Sequence, residues 1–126
     1  MATPEKPQVE IPADTQPPVE LEVEDLVIGD GDEAVPGRQV DVHYVGVAWS
    51  NGEQFDASWD RGGTFAFGLG EGRVIKGWDQ GVAGMKVGGR RRIVIPPHLA
   101  YGKAGAGGVI GPDETLVFVV DLVGVR

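Results

Sequence analysis

The sequence contains no cysteine, which excludes a disulfide framework, a thiol nucleophile, a Cys-ligated zinc and an iron–sulfur cluster. Histidine is almost as scarce. His43 and His98 are the only two, and they share no HxxxH or HExxH spacing; each reads as a solvated or locally hydrogen-bonded side chain, and no metal or other cofactor is expected. No GxSxG elbow supplies an activated serine. Gly68-Leu69-Gly70-Glu71-Gly72-Arg73 precedes an apolar stripe as a phosphate loop would, but Arg73 stands where the third glycine of a dinucleotide fingerprint belongs,. No Gly-Lys-Ser/Thr occurs either. Nowhere does the chain approach the roughly 20 consecutive apolar residues of a membrane-spanning helix. Chemistry must therefore come from oxygen, nitrogen or aromatic groups.

The net charge of −8 over 126 residues is unevenly placed. Residues 1–34 hold ten acids and the single base Lys6, a balance of −9, whereas residues 35–126 come to +1. A duplex-binding surface needs clustered Lys and Arg to displace counterions, and the acidic leading segment repels a polyanion, so no nucleic-acid partner is expected. Arg90-Arg91-Arg92 form the one basic cluster and read as the solvated part of a strand. Five of the nine prolines fall at positions 4, 7, 12, 17 and 18. Proline denies this stretch both helix and ladder hydrogen bonds, so residues 1–18 are expected to form a disordered, dispensable acidic leader before one folded domain, residues 19–126. The leader lacks the basic start and apolar run of a secretory signal, which gives a cytoplasmic expectation.

From Val19 onward most signals are those of strands. ELEVEDLVI (20–28) and RQVDVHYVGVAW (38–49) alternate, Asn51-Gly52 marks a hairpin turn, EQFDAS and TFAFGL are short strands, GRRRIVIP follows, and TLVFVVDLVGV (115–125) closes the chain,. One segment, VIKGWDQGVAGM, reads as a helix, with Ile75, Trp78 and Val82 on one stripe,. Gly77 and Gly81 each cost it about 1 kcal/mol relative to alanine. Such a helix must be held by packing against a sheet, so the expected class is α+β, with five or six antiparallel strands and one short helix across them. GKAGAGGVIGP (102–112) reads as a long surface loop. Asp56 and Asp60, four residues apart at a strand end, need not face one another; Asp60 and Arg61 read as a local ion pair.

Nine aromatic residues serve the whole domain. Several stand where strands end and loops begin, beside polar groups, as in Phe55-Asp56 and Tyr101-Gly102. An aromatic-lined pocket competes there with plain core packing.

The segments VHYVG (42–46), FDASWDR (55–61), FAFGLG (65–70), VIKGWDQGVAGMKVGGRRRIVIPPHLAYG (74–102) and TLVFVVDLV (115–123) together resemble the FKBP family of peptidyl-prolyl cis/trans isomerases, over essentially all of residues 20–125. The resemblance implies a strongly twisted antiparallel sheet wrapped around one short helix. It implies catalytic roles for Tyr44, Asp56, Tyr101 and Phe118. Substrate binding falls to Phe55, Arg61, Phe65, Val74, Ile75, Trp78, Val109 and Ile110, with Trp78 as the floor under the prolyl ring. The Ile75 amide and Tyr101 hydroxyl would bond ligand carbonyls, Asp56 would pair with Arg61 or Tyr44, and Val109 and Ile110 would belong to a flap. Ala106 and Gly107 stand where better-known members often have histidine and proline, which implies a more mobile flap. Implied partners are proline-containing peptides, unfolded or partly folded clients and tacrolimus- or rapamycin-type macrolides, met by a monomer. The rival reading is a prolyl-peptide binding module without catalysis.

Isomerisation suits a chain without nucleophile or metal motif. Rotating a peptide bond requires only that amide resonance be weakened against a barrier of about 18–20 kcal/mol. An apolar slot withdraws the water that stabilises the planar amide and can hold the twisted form preferentially, at about 1.4 kcal/mol of differential binding per tenfold in rate.

Overall fold

A computed structural model describes residues 5–12 and 15–126. Six strands form one antiparallel sheet: β1 (Glu22–Val27), β2 (Gln39–Ala48), β3 (Gln54–Ala57), β4 (Phe65–Gly68), β5 (Arg90–Ile95) and β6 (Leu116–Val125). The order is β1-β5-β6-β2, and the free edge of β2 is shared: β4 pairs with its first half (Gln39–Val42) and β3 with its second (Val45–Val47). Between these two short strands the chain makes a 3-10 turn, Ser58–Arg61. At this break the Tyr44 amide has no ladder partner and donates instead to the Ser58 hydroxyl (2.7 Å), a fully buried side chain that closes the gap,.

The single helix, α1 (Lys76–Gly81), is shorter than the apolar stripe suggested. It lies across the sheet with Trp78, Val82 and Met85 against Ile93, Ile95, Leu116, Phe118 and Val120, which together make the main core. A six-residue helix has no stability of its own in water. Its two glycines are the contact: a β-carbon at Gly77 or Gly81 would meet the side chains of Ile95 and Ile93. Glycine therefore lets this helix settle close to the sheet.

Alternation along β2 fails after Tyr44, where Tyr44, Val45, Gly46, Val47 and Ala48 are all buried, and β6 behaves likewise from Leu116 to Leu122. Strands buried on both parities need cover on both faces. The helix covers one. On the other, Val45, Val47, Ala57, Val94 and Val117 form a second cluster against Val9, Ile11, Trp49 and Trp59. Within the expected leader, residues 5–12 carry no strand, as proline dictates, and they lie on the sheet. Lys6 pairs with Asp60 (2.8 Å), and Arg90 and Arg92 donate to the Glu5 and Glu10 carbonyls (2.6 and 3.4 Å). Residues 1–4 and 13–14 of that leader lie outside the described residues.

The expected solvated arginine triplet is corrected. Arg90 holds Asp121 through two bonds (2.6 and 3.0 Å), and Arg91 joins Asp25 (2.7 Å) to the Gly81 and Ala83 carbonyls at the end of α1. These side chains stitch the sheet to what packs on each face, because alternate strand positions point to opposite sides.

Candidate functional site

The aromatic residues that bound strand ends converge over α1. Trp78, only 4% exposed, is surrounded by Tyr44, Phe65, Phe67 and Phe118, with ring centroids 4.9–5.9 Å away and interplanar angles of 50–85°. Phe55 meets Phe118 edge-on at 5.5 Å. These are the tilted and perpendicular arrangements that aromatic quadrupoles favour. Above Trp78 they leave a cavity of about 320 Å³ lined by Tyr44, Phe55, Asp56, Phe65, Arg73, Val74, Ile75, Trp78, Tyr101 and Phe118. Gly46, opposite both Phe118 and Asp56 in the sheet, makes the wall possible: a β-carbon there would sit 2.6 Å from Phe118 and 2.7 Å from Phe55.

One rim is polar and tightly connected. The Tyr44 hydroxyl donates to Asp56 Oδ2 (2.5 Å) and accepts from Arg61 Nη2 (2.7 Å), while Arg61 Nη1 donates to Asp56 Oδ1 (2.5 Å). The Arg61 guanidinium also lies 5.6 Å from the Tyr44 ring centre,. Arg61 thus turns toward Asp56 rather than toward its neighbour Asp60, which the Lys6 ammonium and the Gln54 amide hold instead. Burial pushes the Tyr44 hydroxyl above its ordinary pKa, and the bond to Asp56 adds to this; burial likewise raises Tyr101, with the Asp56 charge second,. Both remain neutral donors through the physiological range. Among the described residues the Tyr101 hydroxyl has no side-chain hydrogen-bond partner, and the ring is 40% exposed at the mouth.

The opposite rim is the loop Leu69–Ile75, which sequence reading weighs as a phosphate cradle. Its amides already have an acceptor: Asp79 Oδ1 takes Gly70 N–H (2.8 Å) and Oδ2 takes Gly72 N–H (3.1 Å). Asp79 belongs to α1, so the loop presenting Arg73, Val74 and Ile75 is fixed to the helix that carries the floor. The Ile75 carbonyl receives the Trp78 and Asp79 amides.

Of the twelve residues assigned from the resemblance, nine line the cavity and Arg61 braces two of the nine. Val109 and Ile110 do neither. A closed turn from Ala106 to Ile110 (2.9 and 3.0 Å between their backbones) carries Ile110 into the main core and turns Val109 out to 64% exposure. Arg73, which the sequence reading did not assign, lines the cavity; its position between the glycine loop and Val74 was the available signal. His43 bonds Ser58 (2.8 Å) and stacks on Trp59, on the far side from the cavity, and His98 is exposed.

Comparison with known proteins agrees with this geometry. Residues 31–123 match the model of the FKBP-type peptidyl-prolyl cis-trans isomerases. The chain is 61% identical to an FK506-binding protein of Streptomyces anulatus over 122 residues, 96% of this chain and 98% of that one. It is 54% identical to the peptidyl-prolyl cis-trans isomerase FPR2 of Saccharomyces cerevisiae over 84% of this chain and 76% of that one. Among solved structures it is similar to the crystal structure of AtFKBP13, with a TM-score of 0.78 and 43% identity, covering 84% of this chain and 93% of that one. The aromatic cavity above the helix thus sits in a chain that belongs to the FKBP-type peptidyl-prolyl cis-trans isomerase family.

Proposed function

We propose that the cavity over Trp78 is where this isomerase acts, and that it works by desolvating an X-Pro amide and holding its twisted form. The observation that carries the reading is a buried indole floor ringed by four aromatic side chains, with the polar groups of Asp56, Arg61 and Tyr101 at its rim. A prolyl ring seated on Trp78 brings its amide between the two rims, against Tyr44, Phe55 and Phe118. There the planar form loses the water that supports charge on its oxygen. Tyr101 donates from its hydroxyl and Ile75 from its backbone N–H to carbonyls of the bound chain. Asp56, held by Arg61 and Tyr44, orients polar groups at the mouth. Because the Tyr44–Asp56–Arg61 bonds are made within the protein itself, little reorganisation is needed,.

The ligands under this reading are proline-containing segments of unfolded or partly folded proteins. The FK506-binding names of its relatives support a tacrolimus-type macrolide as a competitor for the same floor. A monomer in the cytoplasm is the working form we assign. The test is relaxation of a short X-Pro peptide with an apolar residue before proline, with and without tacrolimus. Acceleration that the macrolide abolishes, and that Trp78→Leu lowers, is expected. Acceleration untouched by both would move the reaction to another surface.

A further inference from the structure

The outer face of the sheet, away from the cavity, is the second place where this molecule holds peptide. Val9 and Ile11, two residues apart, pack into the patch formed by Val45, Val47, Ala57, Val94 and Val117. Apart from the solvent-exposed Lys6–Asp60 ion pair (2.8 Å), which adds little,, the polar anchors take the leader by its main chain. Arg90, aligned by its two bonds to buried Asp121, gives its remaining reach to the Glu5 carbonyl (2.6 Å), and Arg92 reaches the Glu10 carbonyl (3.4 Å). Every peptide offers such carbonyls, so beyond two apolar side chains the seat asks little of sequence. The leader also makes no ladder with the sheet among the described residues, and Glu5, Lys6, Gln8, Glu10 and Pro12 stay exposed. Removing it breaks few bonds and uncovers an apolar strip.

We propose that this face is a seat for an extended segment of an unfolded client chain carrying apolar side chains at i and i+2, and that residues 5–12 occupy it in cis until such a segment displaces them. The inference rests on the isomerase reading only for what the seat serves. A client held there is tethered to the molecule that carries the cavity, which raises the local concentration of its prolines. Long unfolded chains gain from this and short peptides do not.

The test uses the full chain with Val9→Asp and Ile11→Asp together, which alters the leader and leaves the sheet intact. The probe is a fluorescent peptide of residues 5–12 with both prolines replaced by alanine, so that a prolyl pocket has nothing to grip. Because the tethered leader competes at high effective concentration, the double variant should bind the probe at least about tenfold more tightly than the unaltered protein. Tacrolimus should leave that binding unchanged, and methyl NMR shifts should fall on Val45, Val94 and Val117. A probe carrying Asp at both apolar positions should not bind. In the same variant, catalysis of proline-limited refolding of an unfolded protein should rise several-fold while short-peptide isomerisation stays constant. Equal probe binding by both proteins, or shifts at Tyr44 and Trp78, would overturn the proposal. Should the Asp variant fail to fold, Val9→Ser with Ile11→Ser takes its place; if that also unfolds, the leader is plain core and the proposal falls. Absence of short-peptide isomerisation in the unaltered protein would strike the isomerase reading alone, since probe binding is read without turnover.

Discussion

Replacing Gly77 by alanine sets two effects of opposite sign against each other. Helix propensity favours alanine by about 1 kcal/mol in an interior position. The sheet opposes it: the new β-carbon would lie 2.7 Å from Ile95 Cδ1 and 2.8 Å from Cγ1, where carbon atoms prefer 3.5–4.0 Å,. Ile95 is fully buried, so it has no solvent to swing into, and the helix must lift by about 1 Å,. With its nearest contacts all on one buried side chain and all under 3.0 Å, this overpacking falls toward the upper end of the usual range, about 2–3 kcal/mol, which outweighs the propensity gain and leaves a net loss of about 1–2 kcal/mol,. In a domain of this size that lowers Tm by about 5–10 °C. Gly81→Ala is gentler, with nearest contacts of 2.9 and 3.0 Å to Ile93, and should come out near zero. Thermal or urea unfolding reads both. Gly77→Ala should also weaken tacrolimus binding, because Trp78 rides on the lifted turn, and adding Ile95→Ala should cost less than the two single losses together. A Gly77→Ala protein more stable than its parent would refute the packing argument and reduce the glycine to an accident of composition.

The polar rim should matter to turnover far more than to stability. Arg61→Ala breaks an ion pair whose side chains are 54% and 40% exposed, worth at most about 1 kcal/mol to folding, yet it frees both Asp56 and Tyr44; kcat/KM for a short peptide should fall about tenfold,. Turnover unchanged by Arg61→Ala would show that the rim needs no brace. Asp79→Ala removes the acceptor of two loop amides and should raise KM several-fold with little change in kcat, and an unaltered KM would mean that the loop holds itself. The chain has two tyrosines, and both sit at the cavity. Burial, with Asp56 behind it, raises both above 10.0, so the fold favours their neutral forms. Their contribution to stability is complete below about pH 10 and is lost as pH climbs from there through the raised folded values, because the unfolded chain releases its protons first. Spectrophotometric titration of tyrosinate should place the native midpoint above the one measured in concentrated urea; equal midpoints would contradict the burial.

Regular alternation made the strands legible, and one apolar stripe made the helix legible even against its glycines. The pocket was half legible: Phe55-Asp56 and Tyr101-Gly102 showed aromatic groups out of core register, and the resemblance supplied the rest. What escaped depends on contacts between residues far apart in the chain. Val109 and Ile110 follow the loop expected of them, but the Ala106–Ile110 turn decides which side chain goes inward, and glycine-rich sequence does not encode that choice locally. The docked leader did leave a trace. VHYVGVAW is apolar at both parities, and a single helix cannot cover two faces, so a second covering element was already implied. Proline argues against regular structure in residues 5–12 but not against attachment, since side-chain packing and carbonyl acceptors need no ladder.

The six-residue helix has one more consequence. It forms only against a finished sheet, and the cavity above it collects side chains from four strands and two loops between Tyr44 and Phe118. No fragment shorter than that interval contains the site, and no partly assembled state has a floor. Catalytic rate is therefore a reporter of the fully native population: under heat or denaturant, turnover and cooperative unfolding should trace a single curve, with no window in which the enzyme is loosened but still at work.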